Sequence, residues 1–154
     1  MLLLGDGDGW TRCALGHRHW GIFGAAGLLL RHTDAAGAER VLLQHRAPWS
    51  HHGGTWGVLG GARNSGETAA YAAQREAAEE AGVAPGSYAV LGEFVDDHGG
   101  WAYTTVVGRA ARAFVLSALT PETIDLRWVG VEAVGELPLH PGFAATWEAV
   151  REIG

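Results

Sequence analysis

The chain has 154 residues, 47% hydrophobic and 18% charged, with a formal charge of −6 at pH 7. That length suits one domain around a single core that buries roughly 70% of the unfolded surface, and the composition is that of an ordinary soluble globular protein. Its acidic balance argues against a surface that coats nucleic acid, and the absence of lysine excludes Schiff-base chemistry and a phosphate-loop lysine.

Met1 to Leu4 is apolar but lacks a basic lead and is broken by Gly5-Asp6-Gly7-Asp8, so no signal peptide is expected. Residues 1–20 form an extension rich in Gly, Trp and His with no assigned element. Cys13 is the only cysteine, which rules out an internal disulfide or a cysteine-cluster metal site and points to a cytoplasmic location. His17 and His19 beside Cys13 have only a loose zinc-like spacing, read as a solvated loop for want of a fourth ligand. Ile22 to His32 and Arg40 to Arg46 are predicted strands joined by the loop Thr33 to Gly37. The apolar run Ala25 to Leu30 is far too short to span a bilayer. Pro48 to Gly54 is a loop, and Thr55 to Leu59 a short strand running into Gly60-Gly61.

A helix is predicted from about Gly66 to Ala81. Ser65 offers an N-cap hydroxyl, Glu67 falls in the first turn, and Gly82 suits the left-handed position that ends a helix. Ala70, Ala73, Ala77 and Ala81 make an apolar stripe without bulk, which lets the helix approach a sheet closely. Beyond it, Tyr88 to Val95, Trp101 to Gly108, Ala111 to Leu116 and Ile124 to Val129 have strand character, with turns at Pro85-Gly86-Ser87 and Asp96 to Gly100. Phe143 to Ile153 closes the chain as an amphipathic helix, with Phe143, Trp147 and Val150 at helical spacing. Periodicity alone implies only a mixed α and β protein.

Glu76, Glu79 and Glu80 share one face of the central helix. Like charges so placed repel by a few tenths of a kcal/mol per pair, about the size of one surface ion pair. A solvated face is the ordinary explanation; the alternative is a hard divalent cation, which prefers carboxylate oxygens. There is no Gly-x-Ser-x-Gly elbow for a serine nucleophile.

The wider spacing carries more. Gly61, Glu67, Arg75-Glu76, Glu79-Glu80 and Gly82, with apolar Ala77 and Val83 between and after them, resemble the Nudix box, the signature of the Nudix hydrolases. Every fixed position is filled; Ala77 stands where the family usually has a larger aliphatic, which implies tighter helix-on-sheet packing. Thr55-Trp56-Gly57-Val58-Leu59-Gly60-Gly61 is similar to the strand that enters the box, with Leu59 where many members have proline. Arg127-Trp128-Val129 and Leu137-Pro138-Leu139-His140-Pro141 resemble the closing strand and C-terminal segment of the mutator-type branch.

The resemblance implies an α+β fold, the Nudix α/β/α sandwich with a mixed central sheet, in one domain over 1–154. It implies a pyrophosphohydrolase that uses Mg²⁺, with Mn²⁺ as substitute, held by Glu76, Glu79, Glu80 and the backbone carbonyl of Gly60. Glu79 or Glu80 would serve in part as general base, and Glu122, with Asp125 behind it, is the candidate for a further catalytic acid, against the plainer reading of a residue that begins a turn after Pro121. Arg75 would pair with Glu67 to orient the ligand carboxylates, against the plainer reading of a surface ion pair. Arg46 would contact phosphate or be an exposed strand end. Trp56 and Trp101 flank expected site loops and are candidates to stack on a purine, against the plainer reading of core indoles; His98, beside Asp97, is a candidate to line the pocket, against the plainer reading of a loop histidine. The expected substrate is a nucleoside diphosphate linked to another group, foremost a nucleoside triphosphate or its oxidised form. The alternatives are ADP-ribose or a nucleotide sugar, and a non-catalytic nucleotide-sensing module. No membrane or nucleic-acid polymer is an expected partner, and a homodimer is compatible with this reading.

Overall fold

The computed structural model describes residues 5–154. Strands β1 (Trp10–Arg12) and β2 (Arg18–Trp20) form a hairpin, and β3 (Ala25–Thr33), β4 (Glu39–Arg46), β5 (Trp56–Gly57) and β6 (Leu59–Ala62) lead to helix α1 (Ala69–Ala81). Strands β7 (Tyr88–Asp97), β8 (Ala102–Ala110) and β9 (Thr123–Gly130) follow, then a short 3-10 turn at Val131–Glu136 and helix α2 (Pro141–Val150). Among the described residues the main sheet has seven strands. Strand β3 lies at its centre, parallel to β8 and antiparallel to β4 and β6. Strand β7 pairs with β8 on one side, and β5 and β9 pair with β4 on the other. The mixed sheet expected from the resemblance is present.

Side-chain alternation divides this sheet into two buried faces. Leu28, Leu30, Leu42 and Val106 pack with Ala72, Ala73, Ala77 and Ala81 under α1. Leu29, Val41, Leu43 and Val107 face the other way and pack with Phe143, Trp147 and Val150 of α2. The result is an α/β/α sandwich. Ala77 is completely buried, so the small residue in this box does bring helix and sheet close together. On the α2 face, buried Arg31 of β3 donates from Nη1 to the carbonyls of Arg151 (2.6 Å) and Ile153 (2.8 Å), satisfying groups that a helix end leaves free.

Helix α1 ends as expected, with Gly82 at φ 72° donating back to the carbonyls of Ala77 and Ala78. Its start differs from the expectation. Thr68, not Ser65, is the N-cap, accepting from Tyr71 N at 3.1 Å. Ser65 is drawn away by Asp6, which takes bonds from both its backbone N–H and its hydroxyl. Glu67 therefore precedes the helix instead of lying in its first turn.

Two further expectations change. Residues 10–20, left without an element, form the β1–β2 hairpin, in which Trp10 pairs with Trp20 and Arg18 lies 4.0 Å over the Trp10 ring. The Met1 to Leu4 reading lies outside the described residues. Ala111 to Leu116 is not a strand. Both edges of β8 are already paired, so this continuation has no ladder to join. Its apolar residues Phe114 and Leu116 instead pack against the α1 side of the core.

His140 caps α2: its Nδ1 accepts from Gly142 N at 3.0 Å. Burial, then the nearby His52, Arg46 and His51, lower its pKa to about 4. The unfolded side chain titrates near 6.5, so between those values the unfolded chain binds the extra proton and stability falls as pH falls. We predict that His140→Asn, which keeps an acceptor for the cap but cannot titrate, weakens the decline in urea-unfolding free energy between about pH 6.5 and 4. An unchanged pH slope contradicts the assignment.

Candidate active site

The chain from β6 into α1 builds the site. Gly60 and Gly61 pair with Gly27 and Ala26 of β3, and α1 crosses close above them. A side chain at Gly61 would close that gap, and one at Gly60 would collide with the sheet itself. A Cβ on Gly61 would sit 2.7 Å from the Glu76 carboxyl carbon, and one on Gly60 would sit 2.5 Å from the Ala26 carbonyl oxygen. Glycine is required here by close approach, not by backbone angle.

Arg75 ties the acids together. Its Nε and Nη2 donate to the two oxygens of Glu67 at 2.8 and 2.9 Å, a bidentate fork. Nη2 also reaches the Ala62 carbonyl at 3.0 Å, and Nη1 reaches Glu76 Oε1 at 3.0 Å and Glu79 Oε2 at 3.5 Å. Glu67 in turn accepts from Asn64 N at 2.6 Å. The hydrogen bonds from Arg75 are the main cause holding the Glu67 pKa below its ordinary value, although burial pushes the other way.

The two inward acids behave oppositely to Glu67. Burial raises the pKa of Glu76, opposed by Arg75 and reinforced by Glu79. Part of Glu80 stays accessible, yet its carboxyl faces a poorly solvated setting: burial, then repulsion from Glu76, lift its pKa to about 8 against the bond from Gly60 N to Glu80 Oε1 (2.8 Å). Glu79 is exposed. The three carboxylates therefore share a helix face without closing into a tight trio: among the described residues, only Cys13, His19 and His98 bring three such ligand atoms within 4.8 Å of one another. The donor set is all oxygen, the Gly61 cradle holds one acid, and two acids resist ionisation because of burial and neighbouring carboxylates. Those properties fit a hard divalent cation, whose charge would reverse the local field.

The structure brings further residues to this site that the sequence did not signal. Tyr103 of β8 lies against Gly27 and Gly60, and burial together with the Glu80 and Glu76 carboxylates raises its pKa. Gln44 is buried beside Glu80, donating to the Val58 carbonyl at 2.9 Å and accepting from the Thr123 hydroxyl at 2.7 Å. Asp8 is close enough to Glu76 to raise its pKa. Strand pairing places Tyr103 and Gln44; packing of Gly7 on Asn64 (3.2 Å) places Asp8. No spacing within the box encodes either.

The other expected residues scatter. Arg46 sits at the end of β4, bonded through Nε to the His51 carbonyl at 2.9 Å, and its charge is felt by Glu80 and Tyr103. Glu122 is exposed beside it, its carbonyl accepting from Ala47 N at 2.7 Å. Asp125 pairs with Arg127 at 2.8 Å. Trp56 is buried core, with His45 stacked 4.4 Å from its ring and Arg127 5.0 Å over it. Trp101 is buried as well, with His19 stacked on it at 3.8 Å and its Nε1 bonded to the Gly21 carbonyl. Trp101 also lines a pocket of about 310 Å³ with Ile22, Phe23, Arg63 and Asp97. Arg63 bonds the Glu67 carbonyl at 2.7 Å, so this pocket adjoins the box. His98 does not line it. A larger concavity of about 590 Å³, around Tyr88 and Arg109, is remote from the acids, and the chemistry of the residues, not size, identifies the site.

Known proteins match this arrangement. Residues 23–151 match the family model of the NUDIX domain. The chain is 48% identical over 155 residues to a Mycobacterium tuberculosis protein called putative 8-oxo-dGTP diphosphatase 3, covering 96% of this chain and 70% of that one. It is 40% identical to a nucleoside triphosphate pyrophosphatase/Nudix hydrolase fusion protein of Bifidobacterium longum, covering 92% of this chain and 30% of that one. The crystal structure of a Nudix hydrolase from M. smegmatis, RenU, superposes with a TM-score of 0.87 at 49% identity, covering 95% of this chain and 94% of that one. The chain belongs to the Nudix family and is a Nudix hydrolase.

The Gly61 cradle makes a prediction. Gly61→Ala must push the Glu76 carboxylate aside while leaving the core intact. Misplacement of about 1 Å at a site can cost on the order of 10²-fold in rate. We expect a loss of about that size in kcat/KM and weaker activation by Mg²⁺, with an unfolding midpoint close to the parent's. Near-parental kinetics would show that Glu76 is not held where its position matters.

Proposed function

We propose that this Nudix hydrolase is a Mg²⁺-dependent pyrophosphohydrolase of nucleoside triphosphates, with an oxidised purine nucleoside triphosphate foremost, releasing monophosphate and pyrophosphate. The observation that carries the reading is the acid face of α1, closed against Gly60-Gly61 and tied by Arg75. The relative's name as a putative 8-oxo-dGTP diphosphatase supports the substrate class. Glu76, Glu79, Glu80 and the Gly60 carbonyl would hold the cation, Mg²⁺ or Mn²⁺ in its place. When bound, the cation would neutralise charge on the phosphoryl oxygens and make water a stronger nucleophile.

The chain's own residues do the remaining work. Arg75 keeps Glu67 and Glu76 fixed, so the carboxylates need little reorganisation. Glu79, the most exposed of the three, meets an incoming water and takes its proton, with Glu80 the alternative for that role. Arg46 adds positive charge beside Glu80 and is placed to meet a phosphate, with Glu122 next to it. The base fits the pocket beside Arg63, where Phe23 and Ile22 are about half exposed and Trp101 forms a wall. Asp97 there supplies an acceptor for a base N–H. We read 1–154 as one domain acting in the cytoplasm.

Purified protein with Mg²⁺ should convert 8-oxo-dGTP to monophosphate and pyrophosphate. General-base work contributes about 10²–10⁴-fold, so Glu79→Gln should lose at least that much in kcat. Failure to turn over any triphosphate, with ADP-ribose cleaved to AMP and ribose 5-phosphate, would transfer the site to the nucleotide-sugar class.

A further inference from the structure

Cys13, His19 and His98 meet at a point that the acid site does not use. Each offers one ligand atom, and the three atoms lie within 4.8 Å of one another. They come from three places: the turn of the β1–β2 hairpin, β2, and the β7–β8 turn. Cys13 is 6% exposed, and the free ring nitrogens, His19 Nε2 and His98 Nδ1, are buried without a hydrogen-bond partner. Buried polar atoms are rarely left unpaired, and here two occur in one cluster beside a buried thiol.

The surroundings orient these groups as ligands are oriented. His98 Nε2 bonds Asp96 Oδ2 at 2.9 Å. A carboxylate there holds the proton on Nε2 and leaves Nδ1 as a lone pair, an arrangement that recurs behind metal-bound histidines. His19 lies flat on Trp101 at 3.8 Å with planes 7° apart, and His98 stands edge-on to it at 4.9 Å. The Cys13 turn is pinned by the bond from Ala14 N to the Gly99 carbonyl at 2.7 Å and closed by that from Gly16 N to the Cys13 carbonyl.

We propose that Cys13, His19 and His98 form a zinc site, separate from the hydrolytic centre, that clamps the N-terminal hairpin onto the β7–β8 turn. One thiolate and two imidazoles suit Zn²⁺ and not the hard cations of the acid face. Zinc bond lengths of about 2.0–2.3 Å put tetrahedral ligands roughly 3.3–3.8 Å apart, so atoms that lie within 4.8 Å of one another need only a small contraction. Three protein ligands leave a fourth position for water. The clamped turn carries Asp97 and Trp101, which line the pocket beside Arg63, so the ion would fix one wall of that pocket. The spacing of Cys13 and His19 in the sequence is uninformative because the third ligand arrives from about eighty residues away.

Cobalt substitution tests the site without reference to catalysis. Metal-stripped full-length protein titrated with Co²⁺ in excess Mg²⁺ should show a thiolate-to-cobalt charge-transfer band in the near ultraviolet that saturates at one equivalent and is displaced by Zn²⁺. An ion among glutamates produces no such band. Cys13→Ser should abolish it, while Glu79→Gln should retain it. Zn²⁺ should raise the melting temperature of the parent but not of folded Cys13→Ser, because a ligand stabilises only the state that binds it. His98→Ala, with the thiol intact, should weaken Zn²⁺ affinity by at least tenfold. Absence of the band in the parent, or its persistence in Cys13→Ser, overturns the proposal.

Discussion

Like charges held together out of water are the constraint on which this site depends. Glu76 and Glu80 both have raised proton affinity, first from burial and then from repulsion within the group. Left alone they would take up protons or splay. Arg75 offsets part of that cost, and its pKa is raised in return, first by its hydrogen bonds to Glu67. One guanidinium meets Glu67, Glu76 and Glu79, so it cannot also neutralise Glu80, whose carboxyl takes a bond from the Gly60 N–H. On the proposed reading, the residual negative charge is what would draw a cation to the site.

Packing makes that concentration of charge achievable. Four buried alanines on α1 let the helix lie close to β3 and β6, and Gly61 removes the side chain that would hold it off. A bulky residue at Ala77 would lift the same face that carries Glu76 and Glu80. The alternation of Leu28, Leu29 and Leu30 between the two faces makes β3 the shared floor of both cores. Stability and chemistry thus rest on one strand and one helix.

The box, the Gly82 stop, the central strands and three of the four stripe alanines were legible because each is a local pattern of spacing; Ala70 is exposed and Ala72 is buried in its place. What escaped needed contacts between distant segments. Tyr103 and Gln44 reach the acids through strand pairing, and Asp8 through a turn packed on Asn64. The cap moved from Ser65 to Thr68 because Asp6 captures Ser65, a partner about sixty residues away. Ala111 to Leu116 has strand-like alternation but finds no free edge. Trp56 and Trp101 lie near the expected loops in sequence, yet their rings are covered by His45 and His19. An indole's sequence position does not reveal which face is open.

Anomalous diffraction from crystals soaked in Mn²⁺ addresses the central claim most directly. The account predicts an anomalous peak coordinated by Glu76, Glu79 and Glu80, with Arg75 still forked to Glu67. Crystals soaked at saturating Mn²⁺ in which those carboxylates remain apart, with no peak against the α1 face, would contradict it.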